Sequence, residues 1–136
     1  MNTIAIRWVL AILSSLWAGI HLVLTHAVLP NPTATMIYET FFGFTASLAI
    51  LASALLILGM RYTYPLITAF YVIDFALLAE SRLFPAPFVG KVLPFNGYVD
   101  ASLILDVILA ASTLVIWFLE KDVQISKENV KEMKQK

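Results

Sequence analysis

Residues 38–60 read YETFFGFTASLAILASALLILGM, and this stretch decides the fold class of the chain. Its only charged side chain is Glu39, next to the start of the run. A membrane-spanning helix needs about 20 mainly apolar residues, each adding a rise of about 1.5 Å. A helix of a soluble bundle would carry a continuous polar stripe, and this segment has none. The segment is therefore predicted to cross a lipid bilayer.

Three further stretches of the chain meet the same requirement for length and hydropathy. They cover residues 4–28, 63–84 and 98–119, so that residues 1–119 form a transmembrane domain and residues 120–136 a charged tail. Pro30, Asn31 and Pro32 are expected to stop the first span. Pro65 falls in the first turn of the third span, where proline is tolerated. The predicted fold is an all-α, four-helix transmembrane bundle.

The composition of the chain agrees with a lipid environment. Apolar residues make up 60% of the 136 residues and charged residues only 13%, whereas soluble domains average about 25% charged residues. Nine basic and nine acidic residues balance, so no nucleic-acid partner is predicted. The chain has no cysteine, which excludes disulfides, thiolate metal sites and cysteine nucleophiles. We expect a multi-pass protein of the cell membrane.

The basic residues predict the orientation of the bundle. Arg7, Arg61 and the five lysines of the tail fall at one end of the predicted spans, whereas the connection 29–37 has no Lys or Arg. Segments rich in Lys and Arg are retained in the cytoplasm. Both termini are therefore predicted to be cytoplasmic, and the two longer connections, 29–37 and 85–97, to be external.

Several segments and residues near the membrane surfaces leave alternatives open. The connection 85–97 is apolar, aromatic and rich in Pro and Gly, which favours an interfacial loop, with a substrate lid as the alternative. The tail is expected to be solvated, and it can form a short helix because Glu128 and Lys131 make a favourable pair. The tryptophans are interpreted as facing lipid or anchoring the interface: Trp8, Trp17 and Trp117.

Three ionisable residues inside the spans are the main candidates for a functional site: His21, Asp74 and Asp106. Counted from the external boundaries with the helical rise, they lie about 10, 13 and 12 Å deep. An Asp at the bilayer centre costs at least about 2.5–3.5 kcal/mol, so such residues usually face a bundle interior. Each belongs to a mainly small or polar stripe at helical spacing: Ser14, Ala18, His21 and Thr25; Tyr71, Asp74, Leu78 and Ser81; Ser102, Asp106, Ala110 and Thr113. The three side chains are therefore predicted to meet.

Three roles are open for this intramembrane cluster. A structural polar network would fix the register in which the helices pack. A proton or ion path would use His and Asp as relay groups. A metal site with one imidazole and two carboxylates would suit zinc or iron. A bis-histidine haem is disfavoured, because His21 and His26 lie about 140° apart around one helix.

A second set of charged residues is predicted at the external ends of the spans: His26, Glu39, Glu80, Arg82 and Asp100. They are interpreted as solvated charges of the membrane interface, with Arg82 paired to Glu80 or Asp100. The chain has no nucleophile elbow, phosphate loop, zincin helix or nucleotide-binding fingerprint. No catalytic residue is therefore assigned.

Residues 54–71, ALLILGMRYTYPLITAFY, form an apolar helix that ends in Gly, a short basic turn and a new helix. Residues 6–19, IRWVLAILSSLWAG, combine an early Arg with a later Gly. These features resemble the DoxX-like family of membrane proteins, over about half of the chain. Family members commonly carry a Lys after that Gly, where this chain has Ile20, His21 and Leu22. The resemblance implies a four-helix bundle and a quinone-linked redox setting, and it assigns no site residue.

These features predict a non-catalytic or accessory subunit of a larger membrane complex, with a respiratory or quinone-linked complex as the implied setting. The alternative is a small proton-coupled or ion transporter that uses His21, Asp74 and Asp106. A membrane-embedded, metal-dependent enzyme at the same cluster is the third hypothesis. The expected partners are the lipid bilayer and other membrane subunits or further copies of the chain, and the cofactor is left open.

Overall fold

The computed structural model describes residues 2–26 and 29–135, and this part of the chain is all-helical. The helices are α1 (Thr3–Leu24), α2 (Pro32–Leu58), α3 (Tyr64–Leu83) and α4 (Gly97–Gln135), with a 3₁₀ turn at Arg61–Thr63. All four α-helices are long and apolar enough to cross a membrane. The prediction of an all-α protein with four candidate spans is confirmed at this level.

The start of α2 differs from its predicted position, and the cause is local. The helix begins at Pro32, although the sequence placed its start near Tyr38. The Asn31 side chain accepts a hydrogen bond from the Ala34 amide at 2.6 Å, and Pro32 occupies the first turn. An Asn cap followed by Pro is a strong start signal, so this segment begins α2. The predicted end of the first span, residues 27 and 28, lies outside the described residues.

A tight turn built on Gly59 joins α2 to the next helix. Gly59 ends α2 in the left-handed conformation, with φ of 70°. A Cβ atom at this position would overlap the guanidinium of Arg7, which lies against the turn. The backbone conformation is what favours glycine here, because the guanidinium is the end of a flexible side chain that can move aside.

The start of α1, the α2–α3 turn and the middle of α4 meet at one end of the bundle, here called the terminal end. Arg7 pairs with Glu120 at 3.8 Å. Arg61 donates hydrogen bonds to the Trp117 carbonyl at 3.3 Å and to the Gln124 side chain at 2.7 Å. The cytoplasmic location of this end stays a prediction.

The helices associate as two pairs, α1 with α2 and α3 with α4, and α1 also packs against α4. Small side chains allow the α1 and α2 backbones to approach closely. Ser14 donates a hydrogen bond to the Ala49 carbonyl at 2.9 Å, and Ser53 donates one to the Ala11 carbonyl at 3.0 Å. The small-residue face predicted on α2 lies partly in this contact: Ala46, Ala49, Ala52 and Ser53 are buried, whereas Ser47 and Ala54 are exposed.

The charged tail continues α4 without a break. The helix extends to Gln135, and residues 121–135 are exposed throughout. At the helical rise of about 1.5 Å per residue, this extension is about 22 Å long. The tail is therefore a helix that projects from the terminal end.

The connection between α3 and α4 covers the opposite end of the bundle, here called the loop end. The Leu93 amide donates a hydrogen bond to the Ser81 carbonyl at 3.0 Å. The Tyr38 hydroxyl donates to the Pro87 carbonyl at 2.9 Å, and the Asn31 amide donates to the Phe88 carbonyl at 3.1 Å. These bonds fix the connection against α3 and the start of α2.

Candidate functional site

The structure brings His21, Asp74 and Asp106 together from α1, α3 and α4. Their exposed fractions are 0%, 3% and 0%. The His21 Nε2 atom lies 3.4 Å from Asp74 Oδ2, and the Asp106 carboxyl is linked to His21 through Trp17, which bonds the carboxyl and stacks on the imidazole. Three titratable groups thus form one contact chain, here called the polar cluster, inside the bundle.

The stripes predicted on the three helices explain why these side chains point inward. On α3 and α4 every stripe residue is buried, and on α1 only Thr25 is partly exposed. Residues at helical spacings of three and four share one face, so a stripe of small and polar residues can turn wholly toward neighbouring helices.

Trp17 is the member of the site that the sequence interpretation placed wrongly. Its side chain is fully buried and does not face lipid. Its Nε1 donates a hydrogen bond to Asp106 Oδ1 at 2.6 Å, and its ring stacks on the His21 imidazole with centroids 3.5 Å apart. The spacing of Trp17, three residues after Ser14 and four before His21, could have placed it on the buried stripe, because residues at these spacings share one face of a helix.

The hydrogen bonds of His21 restrict the protons that the polar cluster can hold. Its Nδ1 lies 3.2 Å from the Trp17 carbonyl. A carbonyl oxygen only accepts, so this contact assigns a proton to Nδ1 and turns Nε2 toward Asp74. One proton on either group then gives two states of the same charge: a neutral imidazole next to a carboxylic acid, or an imidazolium next to a carboxylate.

Several polar atoms of the polar cluster have no hydrogen-bond partner among the described residues. They are His21 Nε2, Asp74 Oδ2, Asp106 Oδ2 and the nearby Ser102 Oγ. No Lys or Arg pairs with either aspartate in this part of the chain. Burial without a cation disfavours the ionised form of a carboxyl group. Bound protons are therefore what can neutralise the aspartates of the polar cluster.

Tyr71 and Ser14 extend this polar region to α2. The Ser14 hydroxyl donates to the Ala49 carbonyl, so the Tyr71 hydroxyl is the donor in its own hydrogen bond with Ser14. The edge of the Tyr71 ring packs on Trp17, with centroids 5.4 Å apart. The residues around the polar cluster thus contact all four helices.

A cavity of about 220 Å³ between α2 and α3 reaches Asp74. Leu77 and Phe88, which are exposed, also line this cavity, and Phe88 belongs to the cover of the loop end. Toward the terminal end the core is mainly apolar, with Leu56 and Ile67 buried. The cavity therefore reaches the polar cluster from the half of the bundle nearer the loop end, and a mainly apolar core lies on the other side.

The charged residues predicted at the external rim fall into two groups. His26, Glu39, Glu80 and Asp100 are exposed, as expected for interface charges. Arg82 is only 9% exposed, and no ion pair joins it to Glu80 or Asp100 within residues 2–26 and 29–135. The predicted solvated ion pair of Arg82 is wrong for both acids; Glu80, two residues earlier on the same helix, points about 200° away from Arg82.

The metal hypothesis gains no support from the described part of the chain. No three His, Cys, Asp or Glu side chains there are arranged to hold a metal ion.

No family profile, curated protein or solved structure matches this chain. The resemblance to DoxX-like proteins stays a prediction.

Proposed function

We propose that this small multi-pass membrane protein carries protons across the bilayer, with His21, Asp74 and Asp106 as its protonation site. The contact of the His21 imidazole with the Asp74 carboxyl, 3.4 Å apart and almost fully buried, is the observation that carries the proposal. His and Asp side chains at this depth are the usual proton relay groups of membrane proteins.

The residues of the polar cluster have separate roles in this proposal. Asp74 lines the cavity from the loop end and receives the proton first. His21 accepts it at Nε2, because Nδ1 is already held by a carbonyl. The indole of Trp17 donates to Asp106 and stabilises a negative charge there while His21 is charged.

The packing of the helices suggests how access changes from one side to the other. His21 belongs to the α1–α2 pair, whereas Asp74 and Asp106 belong to the α3–α4 pair. The protonation site therefore lies where the two pairs meet. Rocking of one pair against the other around a fixed site is a common mechanism of alternating access. In the carrier, this motion closes the cavity and opens the mainly apolar core on the other side.

Proton uptake by proteoliposomes tests the proposal. An inside-negative potassium diffusion potential drives protons inward, and a trapped pH dye reports them. We expect the wild-type protein to acidify the interior several-fold faster than protein-free liposomes do. Asp74→Asn should reduce the rate to that of protein-free liposomes, because an amide does not exchange a proton at neutral pH. Asp106→Asn should do the same, because it removes the negative charge that stabilises a charged His21.

Glu39→Gln is the matched control, since Glu39 is an exposed carboxylate on α2. It should keep the wild-type rate. Circular dichroism should show that all variants retain their helices. A wild-type rate equal to that of protein-free liposomes, or full activity of both Asn variants, contradicts the proposal.

A second function, as a subunit of a larger membrane assembly, is favoured by the extension of α4. Val123, Val130 and Met133 are exposed and lie on one side of that helix, at spacings of seven and three residues. A helix of about 15 residues is marginal in water by itself, and its apolar side suits a partner helix. The respiratory, quinone-linked setting of the family resemblance belongs to this candidate.

Particle size in mild detergent tests the subunit hypothesis. Replacing Val123, Val130 and Met133 together by Gln should reduce the mass of the particle extracted from native membranes, as measured by light scattering. Glu128→Gln with Glu132→Gln changes two exposed positions on the opposite side of the extension and should leave the mass unchanged. An unchanged mass in the triple variant argues against a partner on this side of the helix.

A further inference from the structure

Arg82 is a buried cation without a partner among the described residues. It is 9% exposed, and its Nε atom has no hydrogen-bond partner. Arginine remains charged under physiological conditions, and an uncompensated buried charge is strongly destabilising. A partner from outside the chain would remove this cost.

The other two arginines show what the fold does with a cation it can satisfy. Arg7 pairs with Glu120, and Arg61 donates hydrogen bonds to a backbone carbonyl and to Gln124. Both are at the terminal end, and both are less buried than Arg82. Among the described residues, the most buried arginine is therefore the one with neither an ion pair nor a side-chain hydrogen bond.

Arg82 lines a second cavity, of about 440 Å³, at the loop end. Its walls are mainly apolar, with Leu24, Phe42 and Leu93 among them, and Lys91 adds a second cation. No Asp or Glu side chain belongs to its described lining. The volume falls in the range of about 300–1,000 Å³ that is typical of small-molecule sites.

We propose that this cavity binds an amphiphilic anion, whose carboxylate or phosphate head contacts Arg82 and whose apolar chain lies along the cavity wall. Guanidinium binds such heads through paired, charge-assisted hydrogen bonds. Lys91 is exposed at the cavity and adds attraction for the same charge. Arg82 lies one residue before the end of α3. At the end of a membrane-spanning helix, both a lipid head group and a soluble anion can reach a cation.

The anion would lie next to the protonation site. Phe42 lines the cavity, and its ring packs edge-on against His21 with centroids 5.6 Å apart. Tyr38 lines this cavity and also the one that reaches Asp74. Anion binding at Arg82 can nevertheless be measured without transport, so it stands or falls independently of the proton carrier.

Thermal unfolding of delipidated protein in a neutral detergent tests the site with two pairs of probes. Phosphatidylglycerol is compared with phosphatidylcholine, and hexanoate with hexanol. A ligand that binds only the folded state raises the Tm. We expect at least one anionic probe to raise the Tm by several degrees more than its neutral counterpart. A response to phosphatidylglycerol alone identifies a lipid, and a response to hexanoate alone a soluble anion.

Arg82→Gln should abolish the difference between anionic and neutral probes, whereas Arg82→Lys should retain part of it. Without a probe, Arg82→Gln should unfold at the same or a higher temperature than the wild type, because it removes an unpaired buried charge. Arg61→Gln, at the terminal end, should keep the full response. Lys91→Gln changes an exposed residue of the cavity and should weaken the response to the anionic probes. This variant tests the site independently if Arg82→Gln does not fold. An equal Tm rise in Arg82→Gln, or no rise with either anionic probe, overturns the proposal.

Discussion

Replacing Trp17 by Ala should lower the free energy of unfolding by about 3–5 kcal/mol, the range for truncation of a buried Trp. The Trp17 ring is fully buried and stacks on His21. It also makes edge contacts with Phe70 and Tyr71, each with centroids 5.4 Å apart. The substitution further removes the indole donor of Asp106, and a buried acceptor left without its donor costs about 1–3 kcal/mol.

Trp17→Phe separates packing from hydrogen bonding. Phenylalanine keeps an aromatic ring next to His21 but has no N–H for Asp106, so we expect a smaller loss of stability than in Trp17→Ala. Unfolding of the detergent-solubilised protein, followed by circular dichroism, measures both variants. Trp8→Ala is the control, because the Trp8 side chain is 52% exposed. An equal loss in Trp8→Ala and Trp17→Ala would contradict the buried position of Trp17.

The spans and the inward faces of three helices follow from the sequence because both depend on regular helical geometry. A fixed rise per residue makes depth a matter of counting, which placed His21, Asp74 and Asp106 at similar levels. A fixed angle per residue makes facing a matter of spacing, and small or polar stripes in lipid turn inward. Neither inference requires knowledge of which helices are neighbours.

Contacts between distant residues could not be derived in the same way. Trp17 and Asp106 are 89 residues apart in the chain, and general rules for tryptophan in membranes favour the interface. In the predicted layout Arg82 has two acidic residues near it, Glu80 and Asp100. In the structure Arg82 is buried, whereas both acids are exposed. Both cases depend on helix rotation and side-chain rotamers, which hydropathy does not encode.

Ala49→Leu is expected to destabilise the bundle by about 1–3 kcal/mol, because overpacking a tight contact forces the backbone to shift. Ala49 is fully buried where α1 packs against α2. Its carbonyl accepts the hydrogen bond of Ser14, which in turn accepts one from Tyr71. Moving α2 away from α1 would stretch both bonds and disturb the residues that pack around Trp17.

Ala54→Leu is the matched control on the same helix, since Ala54 is exposed toward the lipid side. It adds the same side-chain volume without crowding a neighbour and should leave the unfolding transition within about 0.5 kcal/mol of the wild type. Denaturation in mixed micelles compares the two directly. Equal stability of both variants would show that α1 and α2 are not closely packed at Ala49. The expected contrast means that the small residues of α2 determine the position of Ser14 and Tyr71, and through them the packing around the polar cluster.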